Sequence, residues 1–138
     1  MKLSVLFSLV LALASPYAYA EPDCGDYLSE LKKMPNNLEY ISCTKVNSGQ
    51  AHLKAEYRVR GTQAAAVEAY LVKVFNMKKL RFMCCGWEPE GGRTGQYNRV
   101  VNNVDYSYSI TMHATSLEKN WLKIPYFYVT VTLYPGTI

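Results

Sequence analysis

The stretch AHLKAEYRVR alternates without a break. Ala51, Leu53, Ala55, Tyr57 and Val59 fall on one side, and His52, Lys54, Glu56, Arg58 and Arg60 on the other. A period of two predicts a strand buried on one face only. The same partition recurs near the end of the chain. DYSYSITMH sets Tyr106, Tyr108, Ile110 and Met112 against Ser107, Ser109, Thr111 and His113; YFYVTVTLY sets Phe127, Val129, Val131 and Leu133 against Tyr126, Tyr128, Thr130, Thr132 and Tyr134. LEYISCTKV (38–46) and LRFMCC (80–85) read as further strands, and residues 97–101 as another that turns at Asn102-Asn103.

Two segments carry the longer period. In QAAAVEAYLVKVFNM, Val67, Tyr70, Leu71, Val74 and Phe75 form one apolar stripe on an alanine-rich helix, with Thr62 as its expected N-cap. CGDYLSELKKM spaces Cys24, Tyr27 or Leu28, Leu31 and Met34 as a short amphipathic helix, stopped by Pro35 and the pair Asn36-Asn37. TSLEKNWLKIP crosses between the last two strands as a short helical turn or loop. Helices on one face of a mostly antiparallel sheet satisfy every apolar stripe. The expectation is an α+β, two-layer, disulfide-stapled domain.

The first twenty residues do not belong to that domain. Lys2 precedes an apolar run of 12 residues, Leu3 to Ala14, and Ala18-Tyr19-Ala20 is a small-x-small cleavage site. This is the pattern of a secretory signal, too short to span a bilayer, which takes about 20 residues. Residues 1–20 are thus read as a signal cleaved after Ala20, and 21–138 as one exported domain, periplasmic in a bacterial cell. No later run predicts stable membrane insertion. Without Lys2, 14 basic residues face 11 acidic ones, a net charge of +3. The basic residues are dispersed, which argues against nucleic acid as a partner.

Export changes the meaning of the cysteines. Cys24, Cys43, Cys84 and Cys85 are an even set in a small secreted domain, the composition of a two-disulfide framework. One of the three pairings joins the neighbours Cys84 and Cys85. Their α-carbons would lie about 3.8 Å apart, below the usual range of about 4.4–6.8 Å, and adjacent strand residues face opposite ways. The expectation is therefore that one reaches Cys24 and the other Cys43, with both such pairings open. The bonds would root a loop spanning 86–96. The spacings match no zinc site, and neither a metal nor any other cofactor is expected.

Candidate chemistry is sparse. There is no G-x-S-x-G, phosphate-cradling glycine loop or H-E-x-x-H. Trp87 either packs over the end of the core or joins a recognition surface. Glu88 either clamps the glycine loop or acts as a general acid or base, which in a glycosidase needs a second carboxylate. Were the chain an enzyme, Glu88 and His113 would carry the reaction; Ser109 shares a predicted face with His113, but no third member completes a triad. The collective feature is the polar sheet face, where Tyr126 and Tyr128 supply rigid amphipathic contacts and Arg58 and Arg60 forked donors.

CCGWE at 84–88, YRVRG at 57–61 with AAAVEAYL behind it, and the tail YFYVTVTLY resemble a family of small exported bacterial proteins of unknown function with a Cys-Cys-Gly-Trp-Glu core. The likeness covers most of residues 24–134 and implies no catalytic residue. In size, export and cysteine use the chain also looks like periplasmic immunity and inhibitor proteins, an analogy of outline. The expected function is a periplasmic binding protein that neutralises or regulates a protein partner, such as a toxin or wall-active enzyme. Trp87, Glu88, Arg58, Arg60, Tyr126 and Tyr128 would form the contact. The alternatives are a small cell-envelope hydrolase using Glu88 and a structural envelope protein.

Overall fold

The computed structural model describes residues 23–135; the expected signal at 1–20 lies outside them. The elements run α1 (Tyr27–Glu30), β1 (Glu39–Val46), β2 (His52–Arg60), α2 (Ala64–Phe75), β3 (Leu80–Met83), β4 (Gly86–Pro89), β5 (Gly95–Val101), β6 (Val104–His113) and β7 (Tyr126–Tyr134). Short 3-10 turns occupy Gly61–Gln63, Glu90–Gly92 and Trp121–Lys123. Five strands form one antiparallel sheet in the order β1-β2-β7-β6-β5, and β3 and β4 pair as a separate hairpin. No helix among the described residues is long and apolar enough to cross a membrane.

The alternation in the sequence is the alternation of burial. Leu53, Ala55, Tyr57 and Val59 of β2 are buried, as are Phe127, Val129, Val131 and Leu133 of β7 and Tyr108, Ile110 and Met112 of β6. They join one core cluster with Val67, Leu71 and Phe75 of α2 and Tyr27 and Leu28 of α1. Tyr57 ties β2 to α1 with a polar link inside this cluster: its hydroxyl accepts from Leu28 N at 3.1 Å and donates to Asp26 Oδ1 at 2.9 Å. Asp26 also accepts from Ser29 N at 3.2 Å, so one carboxylate caps the helix and anchors the strand.

The first helix is shorter than its apolar spacing predicted. Lys32 adopts φ 56°, and Lys33 N turns back to Leu28 O at 2.8 Å, which ends α1 within two turns. The expected Thr62 cap is also corrected. Thr62 lies inside the Gly61–Gln63 turn, and Gln63 occupies the N-cap of α2 without a side-chain bond. The other end is well closed. Asn76 in the left-handed conformation turns the chain, with Asn76 N bonded to Val72 O at 3.1 Å and Met77 N directed to Leu71 O at 3.4 Å. Glu68 then accepts from Leu80 N at 2.8 Å, fastening the start of β3 to the helix.

The disulfides correct the expected connectivity. Cys24 pairs with Cys43, with α-carbons 5.5 Å apart, and Cys84 pairs with its neighbour Cys85. The two cysteines are not on a strand. They are the two turn residues of the β3–β4 hairpin, between the paired positions Met83 and Gly86, and Cys84 has φ 46°. The expected 86–96 loop is replaced accordingly: residues 86–89 are β4, and β5 begins at Gly95.

The two bonds constrain the unfolded chain very differently. Cys24–Cys43 spans 19 residues of sequence, for which loop-closure entropy gives about 3 kcal/mol; a bond between neighbours gives about 1 kcal/mol by the same relation. Urea unfolding of the Cys24→Ala/Cys43→Ala and Cys84→Ala/Cys85→Ala variants should reproduce that contrast. Disulfide mapping of the wild type should find no link between the two pairs.

Candidate functional site

The side of the sheet opposite the buried alternation carries the polar half of each strand. Cross-strand register sets its neighbours. Arg60 lies opposite Tyr126, Arg58 opposite Tyr128, and Tyr128 in turn opposite His113. Arg58, Tyr126, Tyr128 and His113 are therefore brought together, and Arg60 stands exposed at the end of β2. The Arg58 guanidinium lies 4.6 Å from the Tyr126 ring centre, and its Nε donates to Glu39 Oε2 at 3.0 Å. That bond and the accompanying charge hold the Glu39 carboxyl below the usual range and raise the arginine. The imidazole of His113 stacks on Tyr128 with centroids 6.0 Å apart.

A cleft of about 480 Å³ opens at this end of the sheet. Its floor is Glu56, His113, Tyr126 and Tyr128. Its walls come from the segments flanking the crossover, Ala114 to Ser116 on one side and Ile124-Pro125 on the other. His113 is half-buried here. Burial lowers its pKa below the ordinary 6.5, the nearby Lys54 lowers it further, and Glu56 acts in the opposite direction.

Trp87 and Glu88 lie on the hairpin, outside the residues lining the cleft. Trp87 pairs with Ala114, donating its backbone N–H to Ala114 O at 2.8 Å and accepting from Ala114 N at 3.0 Å. Its indole Nε1 donates to Glu118 O at 2.9 Å, and its ring meets Phe82 and Trp121 edge-on, at 5.6 and 5.4 Å. Trp87 thus packs and positions: it holds the residue next to His113. Glu88 is exposed, opposite Arg81 in the hairpin, and the structure does not bring it to His113. Ser109 is also separate from His113, since its hydroxyl donates to Thr94 Oγ1 at 3.0 Å. Among the described residues, no group of three or more His, Cys, Asp or Glu could hold a metal ion.

Sequence reasoning did not single out Glu56, Thr115 or Ser116 as lining residues. Glu56 was legible by position, midway between Lys54 and Arg58 on the polar side of β2. The crossover residues carry no periodicity that could have placed them. Gly86 was noted only as part of a loop, but it is required by close approach: a β-carbon there would strike the backbone of Ala114.

Two outcomes test this geometry. Gly86→Ala must push β4 off Ala114, and overpacking of that kind costs about 1–3 kcal/mol; urea unfolding should show the loss, accompanied by a shift in tryptophan emission. For His113, the unfolded chain binds the proton more tightly than the folded one, so stability rises with pH. Its full contribution is present above the unfolded value of 6.5 and is lost as pH falls through the lower folded value. Melting temperature followed from about pH 7.5 to about pH 5 should drop more steeply in the wild type than in His113→Gln.

No curated protein and no solved structure matches the chain. Residues 15–87, which include α1 to β3 and the hairpin as far as Trp87, match the family described as a domain of unknown function, DUF4952, and the chain belongs to that family.

Proposed function

We propose that the chain is an exported, periplasmic binding protein that neutralises or regulates a partner protein, in the manner of an immunity protein against an antibacterial effector. The observation that carries this reading is the contiguous Arg58, Tyr126, Tyr128 and His113 group beside an open cleft. Tyrosine and arginine are the residue types in which binding energy concentrates. In this reading α1 and α2 form a layer on the opposite face of the sheet, which leaves the tyrosine face free to meet a partner. Export rests on the signal-like residues 1–20, and the Cys24–Cys43 bond is in keeping with an oxidising compartment. The Cys-Cys-Gly-Trp-Glu stretch is taken as the mark of the family, with Trp87 supporting the cleft from behind.

Glu88 is exposed on the hairpin and is left outside the contact, and Trp87 acts through Ala114. The same placement weakens the hydrolase alternative, because Glu88 is exposed and lies outside the cleft lining, whose sole carboxylate is Glu56. A hot-spot side chain costs about 2 kcal/mol or more when truncated. Mature protein used as bait in periplasmic extract should therefore capture one partner that Tyr128→Ala and Arg58→Glu lose, while Glu88→Ala retains it. Circular dichroism confirms that each variant is folded. Equal capture by all of them would remove the tyrosine face from the mechanism.

A further inference from the structure

The β3–β4 hairpin ends in a bond that folding stability does not account for. Cys84 and Cys85 are both exposed, and a bond between neighbours removes little freedom from the unfolded chain. Cys24–Cys43 is the opposite case. It spans 19 residues of sequence with α-carbons 5.5 Å apart, inside the usual range of about 4.4–6.8 Å. Cys43 is half-buried against the core, with its Sγ 3.9 Å from the Tyr27 hydroxyl. The α-carbons of Cys84 and Cys85 stand 3.8 Å apart, below that range, where a disulfide is more readily reduced.

The backbone at the tip agrees. Cys84 takes φ 46°, in the left-handed region that a residue with a β-carbon rarely adopts. Cys85 N–H donates to Met83 O across it, so the chain reverses in a three-residue turn with a positive central φ, the rarer form. Where glycine is the usual choice, a covalent ring between two cysteines holds the turn.

We infer that Cys84–Cys85 is a reversible thiol–disulfide exchange site that takes two electrons from a protein dithiol, while Cys24–Cys43 stays closed. A thiolate of the dithiol attacks one sulfur at the tip, forming an intermolecular S–S bond as the Cys84–Cys85 bond breaks. The displaced sulfur leaves as a thiolate and takes a proton. The second thiol of the dithiol then gives up its proton, attacks its partner's sulfur in the mixed bond, and releases the other cysteine. The dithiol ends as a disulfide and the hairpin as two thiols, with two electrons and two protons transferred. Such an attack needs access, which the exposed tip provides. Met83 beside the bond is 50% exposed and offers a flexible apolar contact to an approaching protein. Reduction acts on the turn alone. Cys84 is released from the left-handed conformation, but Gly86 packs directly against the Ala114 backbone, and Trp87 bonds to Ala114 through both its backbone groups. The change therefore stops at Gly86, and the hairpin cycles between a closed ring and two thiols without leaving the sheet.

The test incubates the oxidised mature protein with reduced thioredoxin and, separately, with dithiothreitol buffered by its disulfide form. Free thiols are trapped with N-ethylmaleimide and mapped by peptide mass. Cys84 and Cys85 should be trapped at a dithiol-to-disulfide ratio about tenfold or more below that at which Cys24 and Cys43 appear. Thioredoxin lacking its second active-site cysteine should remain bonded to Cys84 or Cys85. By NMR, the amides of Met83 to Gly86 should shift on reduction while that of Ala114 stays, and adding the disulfide form should restore the original spectrum. Simultaneous opening of both bonds, earlier opening of Cys24–Cys43, no reaction with thioredoxin, or failure of Cys84 and Cys85 to pair again with each other would each overturn the inference. A shift at Ala114 would overturn the confinement of the change to the turn.

Discussion

In an extended strand, successive side chains leave opposite sides of the sheet. Here that constraint couples the core to the surface. Burying Leu53, Ala55, Tyr57 and Val59 obliges Lys54, Glu56, Arg58 and Arg60 to share the other side. The register of β2 with β7 and of β7 with β6 then places Arg58, Tyr128 and His113 in one row. No loop has to fold correctly to assemble that row. A slip of one residue in any of the three strands would turn buried tyrosines and valines outward, so the core enforces the geometry of the polar face.

The same constraint explains both what was legible and what was not. Burial along β2, β6 and β7 follows the alternation read directly from the residues. The cysteine pairing was misread because the pleat was extended past the end of its strand. LRFM is β3, but Cys84 has already left the extended conformation, and at a turn adjacent side chains need not point apart. The short strand β4 was hidden for a related reason. GWEP has only four residues, begins with glycine and ends with proline, and its pairing is set by the hairpin and by Ala114 rather than by any pattern of its own.

The cleft was half legible. Its floor comes from strand positions, so the grouping of Tyr126, Tyr128 and His113 on one face followed from counting by twos. Its walls come from the crossover, whose placement depends on contacts distant in sequence: Trp87 with Glu118 and Trp121, and Gly61 against the backbone of Trp121 and Ile124. Gly61 has no positive φ to explain it. A β-carbon there would collide with the carbonyls of the crossover, so the residue is a point of contact between two backbones. Such a requirement leaves no local trace, and the same holds for Gly86.

Preorganisation distinguishes this face from an ordinary solvated one. Long charged side chains usually lose rotamer freedom on binding, at about 0.5–1.5 kcal/mol each. Arg58 is held by Glu39 on one side and the Tyr126 ring on the other, and Tyr128 is braced by His113. Arg58 and its carboxylate are both exposed, so the pair adds little to folding stability; what it does is fix a direction. The hairpin acts from behind in the same sense, because the paired bonds between Trp87 and Ala114 hold the residue that follows His113.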